Sequence, residues 1–469
     1  MVFADLLFLY LFLPLNLILY FTMPKGVSRN IVLIIFSLFF YAWGEPVWVL
    51  LLILTAYSDF RHALTITKHR GTKKAKNALL LSLITDIGIF IVFKYSAFII
   101  TNINALTGLS IYVPKFSLPI GISFYTFQTL TYVIDVYRGK FDAQQRFYKY
   151  LLYLSMYFQL VAGPIVRYSD VAERIDDRKN SIPEMSHGIY RFIIGLSKKV
   201  IVANTAGTFV AKYMTNDVSS LSTLGAWFGI IMYTIQLYYD FSGYSDMAIG
   251  LGHIFGFKFP ENFNYPYISK SVSEFWRRWH ITLGSFFRDY VYIPLGGNRN
   301  KVWRNLIITW FLTGLWHGAS WNFIIWGLYN GLFIMLEKAF EKAFDKIPSF
   351  IKHIYLLVVV NVGFVFFKFE SFGSAVNYLK VMFGANAGFN STQTTIEITN
   401  NIFWLIITLI FCTPLMKYIE KFYKRCAVSS NSVSIIANVT RLALMGVLLI
   451  ICTSHLAGNS FNPFLYFQF

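Results

Sequence analysis

The chain has 469 residues, of which 56% are hydrophobic, 19% aromatic and only 14% charged, too little polar surface to cover a water-soluble globule of that length. Its 41 basic and 23 acidic side chains leave a formal charge of +18, which on so apolar a chain reads as loop charge facing an anionic leaflet and not as a nucleic-acid surface. Three cysteines, Cys412, Cys426 and Cys452, without a C-x-x-C spacing offer neither a disulfide framework nor a zinc knuckle. A secreted domain and a nucleic-acid-binding protein are thereby excluded.

A spanning helix takes about 20 apolar residues, and the sequence offers about ten or eleven such stretches, some short or broken. The expected fold is an all-α polytopic membrane protein, a helical bundle with re-entrant or interfacial helices, in a single membrane domain over residues 1–469. The first stretch, MVFADLLFLYLFLPLNLILYF, has an acid at Asp5 and no basic n-region, so it reads as a retained helix and not a cleaved signal. No soluble domain, repeat or low-complexity linker is expected. Arg61 to Lys76 holds six basic residues and no acid, whereas Asn102 to Phe116 holds only Lys115 and Ala385 to Thr399 only Glu397. The first loop is therefore expected in the cytoplasm and the other two outside. Counting outward from there puts Lys25, Arg29 and the segment Arg138 to Lys149 inside. Arg167 to Glu184 mixes both signs and reads as interfacial or re-entrant.

Acids within or beside apolar segments need partners. Asp135 is expected to pair locally with Arg138, and Asp240 and Asp246, which bracket DFSGYSD, to orient a buried group such as His280 or an arginine. Lys258 to Arg304 is a 47-residue excursion with eight basic and three acidic side chains, threaded with Trp276, Trp279 and Tyr290. Such a mixture suits the headgroup interface of a membrane lipid. Pro260, Pro266, Pro294 and Gly296-Gly297 should cut it into short helices, which are tolerated at membrane depth only around a recess lined by protein or water.

From Leu306 to Leu336 there are 31 residues without Asp, Glu, Lys or Arg, and His317 lies within them. An ionisable group in such a stretch is a functional candidate. At about 1.5 Å per residue from Asn305, His317 falls roughly 18 Å along a helix, and Thr309, Thr313 and His317 at i, i+4, i+8 form one polar stripe able to line a path. Gly314 and Gly318 would let another helix or a substrate approach. His280 closes SEFWRRWH, where Glu274 and Arg278 are spaced for an intrahelical pair. The remaining histidines show no metal-ligand spacing, so no metal is expected. No G-x-S-x-G elbow, P-loop or dinucleotide fingerprint occurs.

Two motifs, RRWHITLGSFFRDYVYIPLGG (Arg277 to Gly297) and GLWHGASWNFIIWG (Gly314 to Gly327), resemble the membrane-bound O-acyltransferase superfamily, marked by one interfacial and one buried histidine. FYTFQTLTYVIDVYRG (Phe124 to Gly139), QLVAGPIVR (Gln159 to Arg167) and YYDFSGYSDMAIGLG (Tyr238 to Gly252) extend the resemblance to the bacterial branch that O-acetylates exported polysaccharides such as alginate. The resemblance implies a bundle thinned at its centre, open to a cytoplasmic thioester donor and to an external acceptor. It gives His317 the position of the catalytic histidine and His280 that of the second family histidine. Acyl transfer to a hydroxyl needs a base for its proton and donors for the oxyanion. A neutral imidazole at 317 suits the first role, with Trp316, Ser320 and Asn322 as nearby positioning groups.

The implied donor is acetyl-CoA or another thioester, whose phosphates Arg277, Arg278 and Arg288 would receive. No bound cofactor is expected. The acceptor is an exported polysaccharide or cell-wall glycan, reached through a periplasmic or extracellular SGNH-type acetyltransferase or esterase, and the location is the bacterial cell membrane. In the tail NSFNPFLYFQF, Tyr466 is the candidate acyl relay, against the plainer role of a belt aromatic. The alternatives are a D-alanyl transferase for teichoic acid and, from another class, a non-enzymatic transporter. The transporter should show more membrane-embedded acids paired with bases.

Overall fold

A computed structural model describes residues 1–161, 163–385, 388–429, 431–458 and 464–465, and their regular structure is helical. The helices are α1 (Phe8–Thr22), α2 (Val27–Gly44), α3 (Trp48–Lys68), α4 (Lys73–Thr107), α5 (Ile122–Tyr137), α6 (Phe147–Ser155), α7 (Tyr168–Asp176), α8 (Ile182–Tyr213), α9 (Thr223–Phe255), α10 (Val272–Arg278), α11 (Ile281–Phe287), α12 (Val302–His317), α13 (Trp321–Ala339), α14 (Ser349–Lys368), α15 (Phe372–Met382), α16 (Thr392–Asn400), α17 (Ile402–Phe411), α18 (Leu415–Ser429) and α19 (Asn431–Gly458). Six described helices are long and apolar enough to cross a membrane, or up to seven if α16 and α17, bent by 63°, form one span. Other apolar stretches of the sequence are divided between shorter helices. The protein is a polytopic all-α membrane protein.

The chain packs as two compact units, one of Met1–Phe192 and Tyr244–Glu261, the other of Ile193–Gly243 and Asn262–Leu465. In the first, α4 starts where the Thr72 hydroxyl accepts from the Ala75 amide and ends at Gly108 with φ +72°, the left-handed stop that glycine takes without a Cβ penalty. An aromatic cluster of Phe3, Phe8, Phe12, Phe40, Tyr157 and Tyr244 forms its core, with Phe3 stacked on Tyr244 at 4.7 Å and Phe12 edge-on to Tyr157 at 5.3 Å. Its buried acids have partners. Ser82 donates to Asp59 at 2.6 Å, Thr129 to Asp86 at 2.9 Å, and Lys140 lies 2.9 Å from Asp135. Beyond the Arg138 that spacing favours, Lys140 reaches Asp135 because the chain turns back at Gly139, with φ +74°. Arg191 forks between Asp246 and Glu261, so Asp246 does hold an arginine.

In the second unit Asp240 pairs with Lys199 at 2.5 Å, both buried, and not with His280 or an arginine. The apolar run Leu306 to Leu336 is not one span. It turns at Gly318 to Ser320 and returns as a hairpin of α12 and α13. Its two helices touch backbone to backbone: a Cβ on Gly314 would lie 2.3 Å from the Phe323 carbonyl oxygen, and one on Gly327 would lie 2.4 Å from that of Trp310. The small residues are thus used for helix approach, as in membrane bundles generally. His317 ends α12 instead of sitting in mid-helix.

Candidate active site

The segment 262–292 is cut into short pieces, as its prolines and glycines require: a 3₁₀ turn at Pro266–Ile268, then α10, α11 and a π turn at Arg288–Tyr292. Two anchors hold α10. Ser271 caps it by accepting from the Glu274 amide, and Glu337, reaching over from α13, accepts from the Val272 and Ser273 amides at 2.5 and 3.0 Å and from the Ser273 hydroxyl at 2.8 Å. A carboxylate on the first amides of a helix satisfies orphan donors and faces the positive end of its dipole.

Within the same unit lies a cavity of about 760 Å³, lined by both His280 and His317 and by Arg277, Arg288 and Lys338. Volumes of about 300–1,000 Å³ are usual for small-molecule sites. Thr309 and Thr313 also line it, so the stripe at i, i+4, i+8 faces a cavity. Each threonine hydroxyl donates to the carbonyl four residues earlier, Asn305 at 2.7 Å and Thr309 at 2.8 Å, and only its lone pairs remain for an occupant. His317 is 6% exposed, and its ring is walled by Trp316 at 4.8 Å, Trp326 at 4.8 Å and Phe367 at 5.1 Å. Trp316 also meets His280, with ring centres 6.1 Å apart.

His280 lies between α10 and α11 with φ +45° and is 2% exposed. Its Nδ1 is 3.1 Å from Asn262 Oδ1. Burial pushes its imidazole down to about 3, far below the usual value of 6.5, so the ring is neutral near pH 7. Arg277 and Arg288 line the cavity, and Arg288 also pairs with its neighbour Asp289 at 2.7 Å. Arg278 does not line it: its guanidinium pairs with Glu274 at 2.9 Å and donates to the Asn264 carbonyl at 3.2 Å. Trp316, Ser320 and Asn322 are likewise not among its lining residues, and Asn322 donates its amide to the Phe369 carbonyl at 2.5 Å. Tyr466 lies outside the described residues. Among the described residues no three His, Cys, Asp or Glu side chains gather as a metal site.

Two further residues, Lys338 and Glu337, escape a motif-based reading, and their only signal in the sequence is their place next to the apolar run Leu306 to Leu336. Asn262 carries no signal, since it is 18 residues from the histidine it touches.

The chain is a polytopic helical bundle with two buried histidines on one cavity, and the family model of the membrane-bound O-acyltransferases matches residues 144–381. The chain belongs to that family, and it is an O-acyltransferase of the bacterial cell membrane. It is 36% identical to the probable alginate O-acetylase AlgI of Azotobacter vinelandii over 100% of both chains. With the peptidoglycan O-acetyltransferase of Helicobacter pylori it shares 35% identity over 82% of this chain and 80% of that protein. The teichoic acid D-alanyltransferase of Bacillus subtilis is 30% identical over 54% of this chain and 68% of its own length.

Proposed function

We propose that the enzyme moves an acetyl group from a cytoplasmic thioester, acetyl-CoA being the expected donor, toward hydroxyls of an exported polysaccharide or cell-wall glycan. The observation that carries this reading is the cavity on which His280, His317, Arg277 and Arg288 converge. His317 takes the proton of the attacking hydroxyl as its oxygen bonds to the thioester carbonyl carbon. The tetrahedral intermediate then expels sulfur, and the imidazolium returns the proton to the leaving thiolate. Arg277 and Arg288 bind phosphates of the donor through their planar forks. The whole-length similarity to alginate O-acetylases and the shorter match to D-alanyltransferases favour acetyl over D-alanyl.

A bulky hydrated polymer does not reach a histidine walled by indoles, so an intermediary hydroxyl and an SGNH-type partner outside the membrane complete the transfer. Tyr466 is the proposed relay. Support comes from the two residues before it: the Leu465 amide donates to Asp240 at 2.8 Å, and the Phe464 ring lies 4.8 Å from the Lys199 ammonium. Phe464 and Leu465 thus sit on a buried ion pair.

The test is His317→Ala at normal abundance, with ester-linked groups released from the cell's polymers by mild base and identified by mass. Acetate that disappears with the variant supports the reading. Ester-linked D-alanine lost in its place would reassign the donor, and unchanged acetate would remove His317 from catalysis.

A further inference from the structure

One side chain ties the His280 loop together from outside it. The Asn262 carbonyl accepts from the Ile281 amide at 2.9 Å, and the Asn264 amide donates to the Arg278 carbonyl at 2.9 Å, so segment 262–264 is strapped to the backbone on both sides of His280. The Asn262 side chain adds three contacts through one atom: Oδ1 meets the Thr282 amide at 3.3 Å, the Thr282 hydroxyl at 2.9 Å and His280 Nδ1 at 3.1 Å. A backbone amide can only donate, so the atom facing it is the oxygen of Asn262 and not its amide nitrogen. An amide oxygen can only accept, and His280 Nδ1 must therefore carry the proton.

That fixes the other ring nitrogen. In a neutral imidazole with hydrogen on Nδ1, Nε2 is a bare lone pair. This Nε2 is buried and has no hydrogen-bond partner among the described residues, while His280 lines the 760 Å³ cavity. The backbone points the same way. His280 holds φ +45° and ψ +53°, a left-handed conformation that is unfavourable for a residue with a Cβ and persists only where its surroundings impose it. Phe241 braces the ring edge-on at 4.7 Å.

We propose that Asn262 is a positioning residue that locks His280 as the Nδ1–H tautomer, so that His280 meets the occupant of the cavity as a hydrogen-bond acceptor through Nε2 and takes no part as an oxyanion donor. The group it accepts from is an N–H or O–H of the ligand. If the acyl-transfer reading above holds, and resting on it, that group is an amide N–H along the arm of the thioester donor.

The tautomer is read directly by nitrogen NMR of the full-length protein labelled with ¹⁵N-histidine, with the His280 signals assigned by their loss in His280→Gln. The expected spectrum has a protonated Nδ1 and an unprotonated Nε2 that does not titrate down to pH 5. A protonated Nε2, or an imidazolium at pH 5, overturns the proposal whatever the enzyme's substrate. In turnover with acetyl-CoA, Asn262→Leu should raise the donor KM about tenfold, the worth of one hydrogen bond of about 1.4 kcal/mol, with a smaller change in kcat. Asn262→Asp, which keeps the acceptor, should restore the Nδ1–H signal. His280→Asn retains a donor near the Nδ1 position and lacks Nε2, so a wild-type KM in that variant refutes the acceptor role. Should Asn262→Leu fail to accumulate, the wild-type spectrum and His280→Asn still decide. Absence of any turnover of acetyl-CoA by the wild type would count against the donor assignment and leave the tautomer result standing.

Discussion

The hairpin α12–α13 and the broken segment 262–292 each deliver one histidine to the same cavity, and they do it by different physics. In the hairpin, glycines at 314 and 327 let two apolar helices touch, and His317 is placed by close packing among Trp316, Trp326 and Phe367. In the segment, backbone and side-chain hydrogen bonds from Asn262, the carboxylate of Glu337 on α10 and a left-handed residue do the placing. A histidine at the end of a packed hairpin tolerates substitution without unfolding its helices. One held by a network of polar contacts transmits every loss to its neighbours.

The largest effect is expected at the hairpin's tip. His317→Ala should lower acyl transfer by about 10²–10⁴-fold, the usual contribution of a general base, with membrane insertion and abundance unchanged. Quantified polymer-bound acetate in cells matched for protein level measures it, and equal activity would end the parallel between the two regions. Next, Gly327→Val forces a Cβ against the Trp310 carbonyl, backbone that cannot step aside. The expected cost of about 1–3 kcal/mol should appear as a lower melting temperature in detergent together with lost activity. A normal melting temperature would show that packing does not place His317.

Glu337→Gln probes the other region. It keeps the shape but removes the charge from the first amides of α10, and should cost about 1–2 kcal/mol, with activity falling more than abundance because α10 carries Arg277. At the rim, Arg277→Ala and Arg288→Ala should each raise the donor concentration for half-maximal rate by about 3–10-fold, as expected for a solvent-exposed ionic contact worth about 1 kcal/mol. Arg278→Ala should not, since its guanidinium is occupied by Glu274 and Asn264. A donor effect confined to Arg278 would reverse the assignment.

The last effect is one of pH, absent near neutrality and growing as pH falls. His280 has its folded value depressed to about 3 from 6.5, so between those values the unfolded chain binds a proton that the folded one refuses. Stability is therefore full above about 6.5 and declines as pH falls toward about 3. Melting temperature plotted against pH should fall more steeply for the wild type than for His280→Gln, and parallel curves would contradict a buried neutral ring.

The first unit offers a contrast in buried polarity. Asp59 and Asp86 lie among hydroxyl donors, Arg191 is clamped by two acids, and the cavity beside Tyr41 and Glu45 is only about 90 Å³. Buried charge there is compatible with holding helices together. The second unit differs in placing two histidines on a large cavity.

By itself the sequence determined the membrane class, the helical fold, the interruption at Pro260 to Gly297 and the two histidines. The first three and His317 as a candidate come from composition, hydrophobic run length or local punctuation, quantities that a linear reading contains, whereas His280 became a candidate through the resemblance of RRWHITLG to a known family. The spacing of Thr309, Thr313 and His317 was legible for the same reason, because helix periodicity fixes which residues share a face. Tertiary structure alone decided that Leu306 to Leu336 folds back at Gly318 to Ser320, that Lys199 and not an arginine neutralises Asp240, and that Arg278 turns from the cavity while Arg277 and Arg288 face it. It alone brought Asn262 to His280 and Glu337 to α10, contacts across 18 and 65 residues. A hydrogen bond has a reach of about 3 Å whatever the distance along the chain, so such partners become visible only once the chain has packed.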